Sequence, residues 1–266
     1  MQLNFRQYSS SGDPLLVMHG LFGSLGNWGW HSKQLSEDYT VYGVDLRNHG
    51  QSPHSDALSY PLMAQDMLAF MDREGIDSAS LIGHSMGGKV AMQMALLAPE
   101  RVDKLVVVDI APVDYGGPTD HTDVIAGMEA VAAAKPKKRT EADALLAEHI
   151  AEEGVRQFIM TNLVREQGGQ YSWRLNLAAI KANYDLLRRR PEGDGPFEGE
   201  VLFIKGANSD YIKADYRDSI LALFPASQVK VIMDAGHWVH AEKPEVLLRI
   251  VREFLGQGGP AVGQTA

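Results

Sequence analysis

Gly83-His84-Ser85-Met86-Gly87 is the stretch on which the reading of this chain turns. A serine between two glycines at this spacing matches the G-x-S-x-G elbow, a sharp strand-to-helix turn. The flanks are those such a turn requires. Ser80–Ile82 is a short apolar run of strand character, and Met86–Leu97 has helical periodicity closed by Pro99. The turn forces the serine into a strained backbone conformation, and small neighbours at 83 and 87 let the chain pass closely. Its hydroxyl then stands above a helix N-terminus, whose dipole favours a developing anion. Ser85 is therefore the expected nucleophile.

The same residues carry a rival from another class. Gly83-x4-Gly88-Lys89 is nearly a phosphate-binding P-loop, and Leu105-Val106-Val107-Val108-Asp109 resembles its magnesium-binding strand. The P-loop needs Ser or Thr after the lysine to reach magnesium, and here that residue is Val90. The lysine and the aspartate also stand close together for such an enzyme. The nucleotide reading is set aside.

Outward from the elbow, apolar runs alternate with helical patterns, which argues for a parallel sheet covered by helices. Strands are expected at Leu15–Met18, Val41–Asp45, Ser80–Ile82, Lys104–Val108, Val201–Ile204 and Val229–Met233, with an edge strand near Leu3–Tyr8. Pro61–Arg73 reads as a helix. The alternation breaks between about 113 and 196, where only helical patterns are evident: Thr122–Ala134, Thr140–Ala151, Gly154–Leu163 and Leu177–Arg190. Thr140 with Asp143 resembles a capping box, Asn176 is placed to cap the last helix, and Gln170–Leu175 alternates as an extended segment. The expected organisation is a core of residues 1–112 and 197–256, a helical cap of residues 113–196 and a frayed tail of residues 257–266.

Composition excludes other classes. The 266 residues carry a net charge of −9, against the concentrated positive charge of nucleic-acid binders. The one basic cluster, residues 135–139, reads as a solvated connection. No cysteine is present, so disulfides, thiol nucleophiles and Cys-based zinc sites are ruled out. The start lacks the pattern of a secretion signal, and no apolar stretch approaches the roughly 18 residues that span a bilayer. A cytoplasmic location is the default expectation.

Two further segments complete a site. Ala235-Gly236-His237-Trp238 follows the last expected strand, on the rim where parallel sheets gather ligands. His237 has the chain position of the general base in the Ser…Asp…His order. A metal cluster of His237, His240 and Glu242 lacks any further ligand set, and packing roles suit His84 and His240. His19-Gly20-Leu21-Phe22-Gly23-Ser24 is a glycine-rich turn after a strand. It can aim main-chain N–H groups at a tetrahedral intermediate, with Leu21 and Met86 as the expected donors.

With these segments the chain resembles the α/β-hydrolase superfamily. HGLFGS at 19–24, DLRNHGQSP at 45–53, GHSMGGK at 83–89, DIAPVDY at 109–115, GANS at 206–209 and AGHWVHAEKPE at 235–245 carry the resemblance almost to the tail. It implies the α/β-hydrolase fold, with a mostly parallel sheet and the helical cap inserted after the strand ending at Asp109. It also implies hydrolysis of acyl esters or thioesters in a crevice between core and cap. Most relatives place the acid three residues after a glycine that ends the penultimate strand. Here that glycine is Gly206 and the position holds Ser209, with Asp210 one residue late. Some α/β hydrolases take the acid from the place of Asp109. The expected triad is thus Ser85, His237 and Asp109, with Ser209 orienting the aspartate and Asp210 as the rival acid.

The implied partner is a small acyl ester or thioester of short to medium acyl chain, and no metal or organic cofactor is implied. Phe22, Met86 and Trp238 adjoin the motif residues and are expected in the pocket wall, with Phe158 and Trp173 as further candidates. Perhydrolysis, haloperoxidation and carbon–carbon bond hydrolysis are rival uses of the same triad. A ligand-binding receptor on a hydrolase scaffold is the rival outside enzymes.

Overall fold

Runs of Val, Leu and Ile become the centre of a sheet buried on both faces. The computed structural model describes residues 1–116 and 121–256. Its strands, in chain order, are β1 (Phe5–Gln7), β2 (Pro14–Met18), β3 (Thr40–Val44), β4 (Ala79–His84), β5 (Val102–Val108), β6 (Leu163–Arg165), β7 (Tyr171–Trp173), β8 (Glu200–Gly206) and β9 (Ser227–Ile232). Seven form one sheet in the order β1-β3-β2-β4-β5-β8-β9, while β6 and β7 make a separate antiparallel pair. Only β1 runs antiparallel in the large sheet; every other neighbouring pair is parallel.

The helices are α1 (Gly29–Leu35), α2 (Tyr60–Glu74), α3 (Met86–Leu97), α4 (Thr122–Ala134), α5 (Arg139–Ala147), α6 (Glu153–Met160), α7 (Leu177–Ala182), α8 (Tyr184–Leu187), α9 (Arg217–Leu223), α10 (Val239–Glu242) and α11 (Pro244–Gly256). Side chains alternate along each strand and so feed two cores. Leu16 and Met18 join the cluster with Met67, Phe70 and Val90 of α2 and α3. Leu15 and Val17 face the other way, into the cluster with Leu35 of α1 and Val251 of α11. Complete burial of each such side chain stabilises the fold by about 1.5–3 kcal/mol. No helix of the described residues is long and apolar enough to cross a membrane.

Parallel strands bring their carboxyl ends to one rim. That rim receives His19 after β2, Ser85 after β4, Asp109 after β5, Ser209 after β8 and His237 after β9.

Several expected elements differ in the structure. The segment between β5 and β8 is not purely helical, because β6 and β7 form a hairpin closed by Glu166 and Gln170. β7 lies within the extended segment expected at Gln170–Leu175, whereas the three residues of β6 are too few to leave a period-2 signature. The helix expected at Leu177–Arg190 is two, α7 and α8, broken at Asn183. That side chain turns back onto the Ala179 carbonyl and onto Asp56, competing with the helical ladder. α5 ends at Ala147 and α6 at Met160, before the expected bounds, and Leu163 begins a strand instead. The capping interaction of α5 lies two residues earlier than Thr140: Lys138 is the N-cap, and Glu141 accepts its N–H. β9 begins two residues before Val229 and ends at Ile232. Asn176 does cap α7, accepting the Ala179 N–H at 3.2 Å. The expected tail of residues 257–266 lies outside the described residues.

Candidate active site

The elbow is built by close approach. Ser85 has φ +52°, a conformation an L side chain rarely adopts. A Cβ on Gly83 would lie 2.2 Å from the Gly87 carbonyl oxygen, and one on Gly87 would lie 2.5 Å from those of Met18 and His19. Both positions therefore require glycine. The Ser85 N–H is held by the Val108 carbonyl at 3.0 Å, which ties the elbow to the neighbouring strand.

Two hydrogen bonds join the three rim residues. Ser85 Oγ lies 3.0 Å from His237 Nε2, and His237 Nδ1 lies 2.7 Å from Asp109 Oδ2. A carboxylate only accepts, so Nδ1 carries the ring proton and the Nε2 lone pair faces the serine hydroxyl. Asp109 also has positive φ, at +53°, and its N–H is held by Ile204. Its side chain is fully buried. Oδ1 accepts the Gly206 N–H at 3.0 Å, while Oδ2 accepts the Ser209 hydroxyl besides the imidazole. These donors supply the partners a buried carboxylate needs. Asp210 is elsewhere: its side chain is 95% exposed, 4.0 Å from Lys213.

The imidazole is fixed from several directions that local motifs did not reveal. Tyr211 stacks on it with ring centroids 4.0 Å apart. His84 Nε2–H donates to the His237 carbonyl at 2.9 Å, and Glu242 accepts the Gly236 N–H at 2.8 Å. Burial pushes the His84 imidazole well below its usual value, so it is neutral. His240, lowered by burial to about 3, stacks on Trp28. Among the described residues no group of three His, Cys, Asp or Glu is placed to hold a metal ion.

The turn after β2 lies against the serine. A Cβ on Gly20 would be 3.4 Å from that of Ser85. Phe22 has φ +60°, and its carbonyl accepts from Asn162 Nδ2 at 2.7 Å. Among the described residues, the main-chain N–H groups of Leu21 and Met86 have no hydrogen-bond acceptor.

Two cavities meet at Leu21 and Ser85. The larger, about 300 Å³, is walled by Met86, Lys89 and the tyrosines Tyr60, Tyr115, Tyr184 and Tyr211. The smaller, about 50 Å³, is walled by Phe22, Val155, Phe158, Ile159, His237 and Trp238. Phe22, Phe158 and Trp238 thus line the same cavity as Ser85. Trp173 does not: its indole N–H donates to the Met128 carbonyl at 2.8 Å, and it borders neither cavity. The tyrosines come from separate segments and meet only in the fold, so no local motif marks them.

Comparison with known proteins identifies the family. The profile of the family described as "alpha/beta hydrolase fold" matches residues 13–244. The esterase YbfF of Escherichia coli is 42% identical, over 96% of this chain and 99% of its own. An sn-1-specific diacylglycerol lipase of Mus musculus is 41% identical, over 91% of this chain and 80% of its own. Among solved structures, a marine microorganism esterase superposes with a TM-score of 0.91 at 36% identity, covering 95% of this chain and 99% of its own.

Proposed function

The chain belongs to the α/β-hydrolase fold family and is a carboxylic ester hydrolase; from that premise we propose that it works through an acyl-enzyme on Ser85. His237 takes the hydroxyl proton as Ser85 Oγ attacks the acyl carbonyl carbon. The negative charge moves to the carbonyl oxygen, which the N–H groups of Leu21 and Met86 stabilise. The tetrahedral intermediate collapses, the acyl–oxygen bond breaks, and the leaving alcohol departs with the proton from His237. Water then attacks the acyl-enzyme by the same route in reverse. Asp109 keeps the imidazole in the productive tautomer and balances its positive charge, with Ser209 orienting the carboxylate. The observation that carries this reading is the unbroken hydrogen-bonded chain Ser85–His237–Asp109.

The proton path also assigns the cavities. His237 must reach the leaving oxygen, so the leaving group departs on the side of the small apolar cavity that includes His237. The acyl group takes the larger cavity beyond Met86. Short to medium acyl groups suit this volume, and a thioester fits the same geometry. Residues 113–196 act as a cap, since Tyr184, Val155, Phe158 and Ile159 from this stretch close over the serine.

The decisive experiment is labelling by a small fluorophosphonate together with turnover of p-nitrophenyl esters. Ser85→Ala abolishes labelling and lowers kcat by at least about 10⁴-fold. A wild-type chain that takes the label without turning over any ester would instead be a receptor on this scaffold. An acyl-length series with matched oxygen esters and thioesters then ranks the substrates.

A further inference from the structure

Lys89 completed the near-match to a phosphate loop, and the triad leaves it without a role. It lies one turn past Ser85 on α3, its amide N–H on the Ser85 carbonyl at 3.0 Å. The residue is 1% exposed. Its Nζ donates to the carbonyl oxygens of Val113 at 2.9 Å, Arg188 at 3.2 Å and Arg189. An ammonium has three N–H groups, so these acceptors use all of them and leave none for a substrate.

The acceptors sit where chain ends meet. Val113 lies where the backbone leaves the sheet after β5, and Arg188 and Arg189 lie where it comes back after α8. One ammonium therefore fastens both ends of the inserted segment to the helix that starts at the nucleophile. Gln93, one turn further, repeats the contact: its amide donates to the Glu192 carbonyl at 2.6 Å and accepts the Glu192 N–H at 3.0 Å. Ser85, Lys89 and Gln93 are spaced by four and share one helix face. Lys89 Nζ also stands 4.7 Å from the Tyr115 ring centroid and 5.5 Å from that of Tyr60. All three line the larger cavity.

We propose that Lys89 is a positioning residue for the acyl group: it sets the distance between Ser85 and the tyrosine wall of the larger cavity. This rests on the assignment of that cavity to the acyl side. Burying an ammonium is unfavourable, and an apolar side chain of similar volume avoids that cost. Burial holds Lys89 down at about 7, with the Asp114 carboxylate acting in the opposite direction. What the charge supplies in return is a fixed wall.

The test compares p-nitrophenyl hexanoate with the acetate, whose acyl group is too short to meet the Lys89 wall. Lys89→Met raises KM for the hexanoate by about tenfold or more, with kcat changing by less than about threefold. KM for the acetate shifts by less than about threefold in the same variant. Equal losses on both esters, or no change on either, would overturn the proposal. If Lys89→Met does not fold, the wild-type chain decides between about pH 6 and 9. Loss of the ammonium proton removes one of the three donors. The hexanoate-to-acetate KM ratio then rises as pH passes about 7. A flat ratio overturns the proposal. Besides Asp114, the groups facing Nζ are Arg188, Arg189, Tyr60 and Tyr115; burial raises both tyrosines above their usual value, so they stay neutral over this range. Absence of turnover on either ester by the wild-type chain overturns the catalytic reading itself, and this proposal with it.

Discussion

The Asp109 carboxylate is fully buried, and three donors converge on it. Asparagine at this position would offer an N–H where His237 needs an acceptor and favour the wrong tautomer. Asp109→Asn is therefore expected to lower kcat by about 10⁴-fold, the loss seen for this change in a serine protease. Asp210→Asn keeps kcat within about threefold, since its carboxylate is 95% exposed and stands 4.0 Å from Lys213 at the edge of the larger cavity. The opposite ranking in steady-state rates would assign the acid to Asp210. Ser209→Ala removes one donor and leaves the other two. A hydrogen bond to a charged group contributes about 1.5–3 kcal/mol, so kcat and stability both fall, kcat by about tenfold. Ser85 and His237 were readable because each sits in a short motif beside a strand end. Asp109 and Asp210 both follow strands, and only the turn at Gly206 decides which carboxylate points inward. Tyr211 and Lys89 had no local signal, because stacking and carbonyl clamping depend on partners 26 and 24 or more residues away.

The elements that were legible are those whose patterns come from burial on both faces. β2, β5 and β8 are interior strands of the sheet and read as continuous apolar runs, and α3 runs from the elbow to Leu97, closed by Pro99 as its sequence required. β7 falls within the extended segment read at Gln170–Leu175, but its partner β6 and the break at Asn183 were not legible, since tertiary hydrogen bonds decide them. At this scale the glycines bear the sharpest prediction. A Cβ at Gly206 would lie 2.1 Å from the Gly236 carbonyl oxygen, so the ends of β8 and β9 must separate. Gly206→Ala thus displaces both the Asp109 acceptor site and the His237 loop. It is expected to cost about 3 kcal/mol or more in urea unfolding and to lower kcat by at least about 100-fold. Asn162→Ala is a milder probe, cutting the bond from the segment after α6 to the Phe22 carbonyl. Loss of that buried donor costs about 1–3 kcal/mol and loosens the turn that holds Leu21.

Across the whole molecule, buried histidines set the acid limit. Burial lowers His31 to about 4 and both His49 and His240 to about 3. The unfolded chain takes up these protons near pH 6.5, whereas the folded chain does so only at lower pH. The unfolded state therefore binds more protons below about 6.5, and stability falls as pH drops through that window. These three alone give a slope approaching about 4 kcal/mol per pH unit between about pH 5.5 and 4.5, and His19 and His84, which burial also lowers, act in the same direction. A native stability of about 5–15 kcal/mol is erased within a few units. Urea unfolding measured across this range checks the slope. A value below about 1.4 kcal/mol per unit, a single proton, would mean the histidines are not buried as neutral rings.

The insertion departs and comes back through one doorway: Tyr115 and Arg188 exchange N–H···O bonds of 2.9 Å, and Arg190 N–H meets Asp114 at 2.7 Å. A segment with adjacent ends behaves genetically as a cassette. Recombination can replace the stretch between Tyr115 and Arg188 by a longer, shorter or unrelated piece without re-threading any strand of the sheet. Such an exchange leaves the order of the sheet's strands untouched, and the parts it has to match are the anchors on the core, Lys89 and Gln93 among them.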